Sequence, residues 1–179
     1  AGDYPFSVTD ASGCTIYDTV TINEPNELII DSIEVNNVSC FGLNDGYASF
    51  NLSGGSTPYT IDWGGVNPFF LSAGSYSVLI IDANGCLMTE NIVINEPPIL
   101  TSNVSIQDVT CHNGNNGAVD LSINGGSPPY STLWNNGLNT EDISNLSSSL
   151  YNVIITDSSG CTQQNSAFVS EPLPIVNNI

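Results

Sequence analysis

A motif that recurs three times constrains this chain more than any other feature. Each copy has an Asp, then Gly-Cys three and four positions later, then Glu-Pro beginning ten positions after the Cys. The copies fall at Asp10, Gly13, Cys14, Glu24 and Pro25; Asp82, Gly85, Cys86, Glu96 and Pro97; and Asp157, Gly160, Cys161, Glu171 and Pro172. Successive copies are 72 and 75 residues apart, which is longer than the roughly 20–50 residues of solenoid repeats. The spacing predicts a tandem array of small domains.

A second block of residues fixes where each repeat begins. The block recurs 71 positions later, first as Cys40, Gly46, Gly54, Gly55, Pro58, Tyr59 and Trp63, then as Cys111, Gly117, Gly125, Gly126, Pro129, Tyr130 and Trp134. This phase predicts complete repeats at 26–97 and 98–172, the C-terminal part of another at 1–25 and the start of the next at 173–179. We therefore expect a segment of a longer array. The second repeat has four more residues after its tryptophan, in the loop Leu138 to Leu146.

The charge of the chain excludes several classes of partner. There is no Lys or Arg against 18 Asp and Glu, for a formal net charge of −18. Nucleic acid and anionic lipid surfaces are bound through cationic side chains, so neither is an expected partner. No apolar run reaches the 18 or so residues that a membrane-spanning helix needs. Five Cys at repeated positions favour disulfides and an extracellular location, with buried free thiols as the alternative.

Short alternating runs bounded by Gly, Asn, Pro and Ser predict an all-β protein. In the first complete repeat the predicted strands are Leu28 to Val35, Tyr47 to Ser53, Tyr59 to Trp63, a weak one near Phe69 to Leu71, Ser75 to Ile81, and Leu87 to Ile94. We interpret each repeat as an immunoglobulin-like β-sandwich, with a core tryptophan (Trp63, Trp134) on the third strand and a corner tyrosine (Tyr76, Tyr151). The short linkers 23–26 and 95–98 contain Pro, which restricts bending. Together these features predict an elongated rod.

The pairing of the cysteines has two alternatives. Pairing within repeats would join Cys40 to Cys86 and Cys111 to Cys161. In an immunoglobulin-like fold, however, Cys40 and Cys86 lie at opposite ends of the domain, beyond the roughly 7 Å between Cα atoms that a disulfide tolerates. Stacking the repeats head to tail would instead bring Cys40 to Cys161, and we expect the partners of Cys14, Cys86 and Cys111 to lie outside this sequence or in repeats that are not fully present. Both alternatives stay open at this point.

Several spaced motifs together resemble a known family. They are Val-x-Cys-x-Gly-x-x-Asp-Gly from Val38 to Gly46, Gly-Gly-x-x-Pro-Tyr from Gly54 to Tyr59, and Gly-x-Tyr-x-Val ahead of the Asp-x-x-Gly-Cys and Glu-Pro elements. They are similar to the SprB-type repeat of very large cell-surface adhesins of gliding Bacteroidota. The second repeat departs at Asn116, which replaces Asp45, and at Ser149-Leu150, which replaces Ala73-Gly74. The resemblance implies a filamentous adhesin, secreted by the type IX route and used in adhesion or gliding motility.

Few residues suggest site chemistry. The sole His, His112, has no equivalent in the first complete repeat, and we expect no catalysis. A calcium site at Asp45, Glu96 and Asp157 is one hypothesis, because Ca²⁺ takes carboxylate ligands from turns; the alternative is that these side chains only solvate and terminate turns. The triplets at Asp18 to Val20 and Asp31 to Ile33 resemble the O-glycosylation pattern of exported Bacteroidota proteins, which marks Thr19 and Ser32.

The sequence thus predicts a structural repeat segment of a long extracellular filament that gives reach, stiffness and tensile strength at the cell surface. Its expected partners are neighbouring repeats of the same chain, with other filament chains or surface polysaccharide as further candidates. Two alternatives remain. One is a polysaccharide-binding module that uses exposed loops, especially 138–146, and the other is a spacer in a secreted enzyme.

Overall fold

The structure, a computed structural model, describes residues 1–176, and every regular element in that range is a β-strand. The strands are β1 (Gly2–Thr9), β2 (Thr15–Ile22), β3 (Ile29–Asn36), β4 (Tyr47–Ser53), β5 (Thr60–Asp62), β6 (Gly74–Ile81), β7 (Leu87–Ile94), β8 (Thr101–Gln107), β9 (Gly117–Asn124), β10 (Ser131–Trp134), β11 (Ile143–Leu146), β12 (Ser149–Thr156) and β13 (Thr162–Val169). They form five small antiparallel sheets: β1-β2, β3-β4, β5-β6-β7, β11-β9-β8 and β10-β12-β13. The predicted all-β fold is confirmed.

The described chain divides into two compact units. The first comprises Ala1–Glu34, Ser49–Val66 and Tyr76–Ile92. It contains the β1-β2 hairpin, whose register runs from Gly2 opposite Ile22 to Thr9 opposite Thr15. Apolar side chains of this hairpin are largely exposed, among them Phe6 and Val8. Their counterparts one repeat later, Val78 and Ile80, are fully buried, so the hairpin carries the pattern of a core-facing strand pair.

The second unit comprises Val35–Ala48, Asn67–Ser75 and the chain from Val93 onward. It includes a two-layer sandwich in which sheet β11-β9-β8 faces sheet β10-β12-β13. In β9, β10, β12 and β13 alternate residues point inward, because successive side chains of a strand face opposite sides. The resulting core is one cluster of buried side chains: Leu100, Val109, Val119, Leu121, Trp134, Ile143, Leu146, Tyr151, Val153, Ile155, Ala167 and Val169. Both layers therefore contribute to a single interior.

Predicted strands in the first complete repeat agree with the observed ones to within a residue or so, with one exception. The weak stretch near Phe69 to Leu71 forms only an isolated bridge between Leu71 and Gly46. Gly85 has a positive φ of 84°, as the turn between β6 and β7 requires. Trp134 is buried, but Trp63 is only half-buried, so the expectation of a core residue is wrong for Trp63.

The immunoglobulin-like assignment and the repeat boundaries at 25, 97 and 172 stay predictions. Tyr151 is buried and donates its hydroxyl to the carbonyl of Ser147 at 3.0 Å, a local bond of the kind found at a tyrosine corner. Residues 177–179, which fall in the predicted start of a further repeat, lie outside the described residues. Within residues 1–176, no helix has the length and apolarity to cross a bilayer.

Candidate functional site at the Cys40–Cys161 junction

The repeated Asp-x-x-Gly-Cys motif folds into a tight turn, here called the aspartate turn (10–14, 82–86 and 157–161). Asp157 Oδ1 accepts the N–H groups of Ser159 and Cys161, both at 2.9 Å. Its Oδ2 accepts the N–H of Ser127 at 2.8 Å. A positive φ of 84° at Gly160 closes the turn. The carboxylate therefore fixes the backbone on both sides of the cysteine and ties the turn to a second loop.

That second loop carries the repeated Gly-Gly pair and is here called the glycine loop (54–56 and 125–127). A Cβ on Gly125 would lie 1.9 Å from the carbonyl oxygen of Ile99, and the residue has a φ of 73°. The N–H of Gly126 donates to the carbonyl of Pro98 at 2.8 Å. Only glycine allows so close a backbone approach. The glycine loop thus holds the linker that follows the Glu-Pro element.

The same construction occurs at the first complete repeat. Asp82 Oδ1 accepts the N–H of Cys86 at 2.8 Å, and its Oδ2 accepts that of Ser56 at 2.9 Å. A Cβ on Gly54 would lie 1.7 Å from the carbonyl oxygen of Glu27. Two independent copies of one arrangement show that the repeated residues encode this corner of the fold.

The other half of the junction is the loop around the first cysteine of each repeat, here called the cysteine loop (38–46 and 109–117). Asp45 Oδ1 accepts the N–H of Ser39 at 3.0 Å, and its Oδ2 accepts the Ser39 hydroxyl at 2.5 Å. Glu96, from the Glu-Pro element, accepts the N–H of Gly42 at 2.8 Å. Asp45 therefore stabilises the loop through hydrogen bonds inside it, and Glu96 stabilises it through a hydrogen bond from the linker.

A disulfide closes the junction. Cys40 Sγ and Cys161 Sγ are 2.03 Å apart, and the two Cα atoms are 5.7 Å apart. The bond joins the cysteine loop 38–46 to the aspartate turn 157–161, and both lie within the second compact unit. The structure thus contains the inter-repeat pairing, and it contains neither Cys40–Cys86 nor Cys111–Cys161. Cys14, Cys86 and Cys111 are free and exposed.

The cysteine loop of the second repeat has the same hydrogen bonds without a disulfide. Asn116 Oδ1 accepts the N–H of Thr110 at 3.1 Å, and Glu171 accepts the N–H of Asn113 at 2.7 Å. His112 Nδ1 lies 3.3 Å from the second oxygen of Glu171. The loop shape is therefore present with or without the disulfide.

Hydrogen bonding lowers the pKa of the carboxyls that shape these loops. The Ser39 hydroxyl, followed by the Ser39 N–H, holds the pKa of Asp45 below its ordinary value. The N–H of Cys86 does the same for Asp82. Burial by itself raises the pKa of Asp157, but the surrounding N–H groups outweigh it and the net direction is downward. These side chains are therefore ionised acceptors at neutral pH.

The structure gives the calcium hypothesis no geometric basis. Asp45, Glu96 and Asp157 each point at backbone N–H groups, whereas a metal ligand must direct its oxygens at a shared centre. Among residues 1–176 no group of three or more His, Cys, Asp or Glu side chains is placed to hold a metal ion. The alternative reading, that these carboxylates organise turns, matches their contacts.

The two hydroxyls marked for O-glycosylation both lie on strands and are exposed. Thr19 is on β2, and its N–H donates to Asp18 at 2.8 Å. Ser32 is on β3, and its hydroxyl accepts the amide of Asn51 at 2.8 Å. Modification of either residue stays a prediction.

The sequence analysis did not predict three contacts of the junction. Ser39 donates to Asp45, the N–H of Gly42 donates to Glu96, and the N–H of Gly126 in the glycine loop donates to the carbonyl of Pro98. The sequence does contain a pattern for the first of these contacts. A hydroxyl residue precedes the first cysteine in both repeats, as Ser39 and Thr110, with an Asp or Asn six positions later. A side chain of that type can accept a local backbone N–H, so the pattern itself marks a capped loop.

Comparison with known proteins agrees with the motifs. The family model described as SprB repeat matches residues 32–67 and 103–139. The two matches contain the two cysteine loops, glycine loops and tryptophans at equivalent positions. The chain has no match among curated proteins.

Proposed function

We propose, from the premise that this chain carries two SprB repeats, that it is a structural segment of an extracellular surface adhesin and carries tension from one repeat to the next. The observation that supports this most strongly is the Cys40–Cys161 disulfide, which joins loops of consecutive repeats. A covalent bond at a repeat junction changes how force passes along a chain.

The disulfide removes most of the chain from the path of an applied force. A pull on the two chain ends passes from residue 1 to Cys40, across the S–S bond, and onward from Cys161. The sequence separation of the two cysteines is 121. If the repeats lost their packing, this stretch would stay short as long as the bond held. The junction would therefore limit how far an overloaded filament lengthens.

The charge of the chain suits an exposed filament. Eighteen carboxylates with no Lys or Arg make copies repel one another and stay dispersed, an effect that salt screens. The same composition leaves trypsin no cleavage site. A disulfide-bonded, trypsin-resistant and acidic segment fits an extracellular position, and gliding or adhesion is the role that the family resemblance implies.

Single-molecule force spectroscopy tests the proposal directly. The chain is held by handles at its two ends and stretched with the disulfide intact or reduced. We expect the reduced protein to extend further by about 400 Å, because a separation of 121 residues at about 3.4 Å each becomes extensible.

Two variants sharpen this experiment. Cys40→Ser should show the longer extension without reductant, whereas Cys14→Ser, at an exposed free cysteine, should behave as the parent chain. Equal extension with and without reductant would contradict the tension-bearing role.

The polysaccharide alternative relies on the loop 138–146. In the structure, backbone carbonyls of this loop accept hydrogen bonds from side chains of β10. Thr140 O accepts the indole N–H of Trp134 at 2.9 Å, and the Thr132 hydroxyl lies 3.0 Å from the carbonyls of Asn139 and Thr140. Part of the loop forms β11. Because its backbone is occupied in covering the tryptophan, this alternative has the weaker support.

A further inference from the structure

The outer face of sheet β10-β12-β13 differs in charge from the rest of this acidic chain. It consists of the exposed side chains at alternate positions of 131–133, 150–154 and 162–168, which point away from the core. Every one of these described residues is Ser, Thr, Asn, Gln, Leu, Ile or Phe, so the face carries no charge, although the chain has 18 Asp and Glu. We propose that this outer face binds a neutral polysaccharide.

The register of the strands places polar and apolar groups of the outer face side by side. Asn152 lies opposite Ser166, and Leu150 lies opposite Phe168 at one end of the strand pair β12-β13. Asn152, Gln164 and Ser166 line a shallow depression of about 460 Å³ over the middle of the pair, a volume within the roughly 300–1,000 Å³ of ligand sites. Phe168 is 61% exposed. The outer face therefore offers hydrogen-bonding groups next to an aromatic surface.

This combination of groups suits the surface of a sugar ring. The ring carries hydroxyls at its edge, and side-chain amides such as those of Asn152 and Gln164 can both donate to and accept from a hydroxyl. The faces of the ring are formed by C–H groups, which pack against an exposed aromatic side chain such as Phe168. An anionic polysaccharide would be repelled by the net charge of −18. The ligand class is therefore a polysaccharide without charge.

The size of the outer face argues against a second copy of the chain as its partner. Strands β12 and β13 each have eight residues, so the face is about 27 Å long and, across three strands, about 14 Å wide. Its area is thus no more than about 400 Å², which is half of the roughly 800 Å² that each partner buries in a stable protein–protein interface. Two chains of net charge −18 would also repel each other. A single chain of sugars needs neither a large area nor an opposite charge.

The first complete repeat has different residues at the equivalent positions. Val93 stands where Phe168 stands, three positions before the Glu of the Glu-Pro element. Asp62 stands where Leu133 stands, directly before the tryptophan, and it is exposed. The same surface of the first repeat therefore has a carboxylate and lacks the aromatic ring. We expect the second repeat alone to bind the polysaccharide, and the first repeat supplies substitutions that this fold already accommodates.

The test is electrophoresis of the full chain through native gels that contain dextran, galactomannan or xyloglucan, with alginate as the anionic control. We expect at least one of the three neutral polysaccharides to slow the chain relative to a gel without polysaccharide, and alginate to have no such effect. Because the ligand is uncharged, its affinity should be the same at low and high salt. An NMR titration with fragments of the retarding polysaccharide should shift the side-chain amide signals of Asn152 and Gln164.

Variants at exposed positions locate the site. Phe168→Val, which introduces the residue of the first repeat, should raise the Kd by about fivefold to tenfold, whereas Val93→Ala at the equivalent position should leave it unchanged. Thermal unfolding of each variant checks that the fold is intact. Cys40→Ser should bind as the parent chain does, so this site and the tension-bearing role are tested separately.

Three results would overturn the proposal. The first is that none of the three neutral polysaccharides retards the chain. The second is equal affinity of the parent chain and Phe168→Val. The third is a dimer of the parent chain in sedimentation velocity that Phe168→Asp abolishes, because the outer face would then belong to a contact between two copies.

Discussion

The two complete repeats share their junction loops but differ in the segment that follows the tryptophan. In the second repeat, the segment after the tryptophan is four residues longer and includes strand β11, and Trp134 is 1% exposed. In the first, Trp63 is half-buried and contacts Phe50, with ring centroids 5.7 Å apart. The repeat therefore tolerates a change in how its tryptophan is covered, while the loops that meet the next repeat stay the same.

The largest effect is expected from removing the buried tryptophan. Trp134→Ala should cost about 3–5 kcal/mol in the free energy of unfolding, the usual range for a large aromatic side chain in a core. It also removes the indole N–H that donates to Thr140. Trp63→Ala should cost clearly less. Denaturant unfolding followed by far-UV circular dichroism measures both, and equal losses would contradict the difference in burial.

Replacing the glycine at the linker should have the next largest effect. Gly125→Ala would place a Cβ 1.9 Å from the Ile99 carbonyl oxygen, so the linker must move, and a positive φ adds about 1–2 kcal/mol of strain. Gly137→Ala is the matched control, because Gly137 also has a positive φ but nothing lies within 4 Å of its Cβ position.

The comparison of the two variants separates the cost of the steric clash with Ile99 from the cost of a positive φ in a residue other than glycine. If Gly125→Ala destabilises the chain no more than Gly137→Ala in thermal unfolding, the close approach of the glycine loop to the linker contributes nothing beyond the backbone strain.

Asp157→Asn tests the aspartate turn. An amide can still accept from Ser159 and Cys161 through its oxygen, but its NH₂ would face the N–H of Ser127, which now bonds Oδ2 at 2.8 Å. Leaving a buried donor without an acceptor costs about 1–3 kcal/mol. Asp157 is 5% exposed, so water cannot readily replace the bond. Chemical denaturation should show this loss, and neutrality would mean that the turn does not need the second oxygen.

The same carboxylates should make the free energy of unfolding depend on pH in the acidic range. The pKa values of Asp45, Asp82, Asp108 and Asp157 are lowered in the folded state. Their contribution is therefore fully present above the unfolded-state value of about 3.9 and is lost as pH falls through the folded values. Unfolding of the parent chain and Asp157→Asn across this range should give curves that converge at low pH; parallel curves would contradict the assignment.

Much of the fold could be predicted because it depends on local patterns. Alternating residues located β4, β6 and β7. Other features depend on where a side chain points, which spacing does not specify. Asp45 and Glu96 were compatible with a calcium site or with side chains that only solvate and terminate turns, and their residue types do not show that they accept backbone N–H groups, as they do in the structure. The burial of Trp63 was predicted wrongly, because the segment that follows the tryptophan and buries it in the second repeat is four residues shorter in the first.

The smallest effect is expected where the chain has already made the substitution. Asn116 stands in the second repeat where Asp45 stands in the first, and it keeps the loop by accepting from the N–H of Thr110 and donating to the Thr110 hydroxyl at 3.0 Å. Asp45→Asn can make the same two bonds with Ser39, so we expect a change in the free energy of unfolding of no more than about 0.5 kcal/mol. Asp45→Ala should cost more, because it removes both bonds. Equal losses for the two variants, measured by thermal unfolding at pH 7, would show that charge shapes the cysteine loop, and that Asn116 is held by the rest of its own repeat.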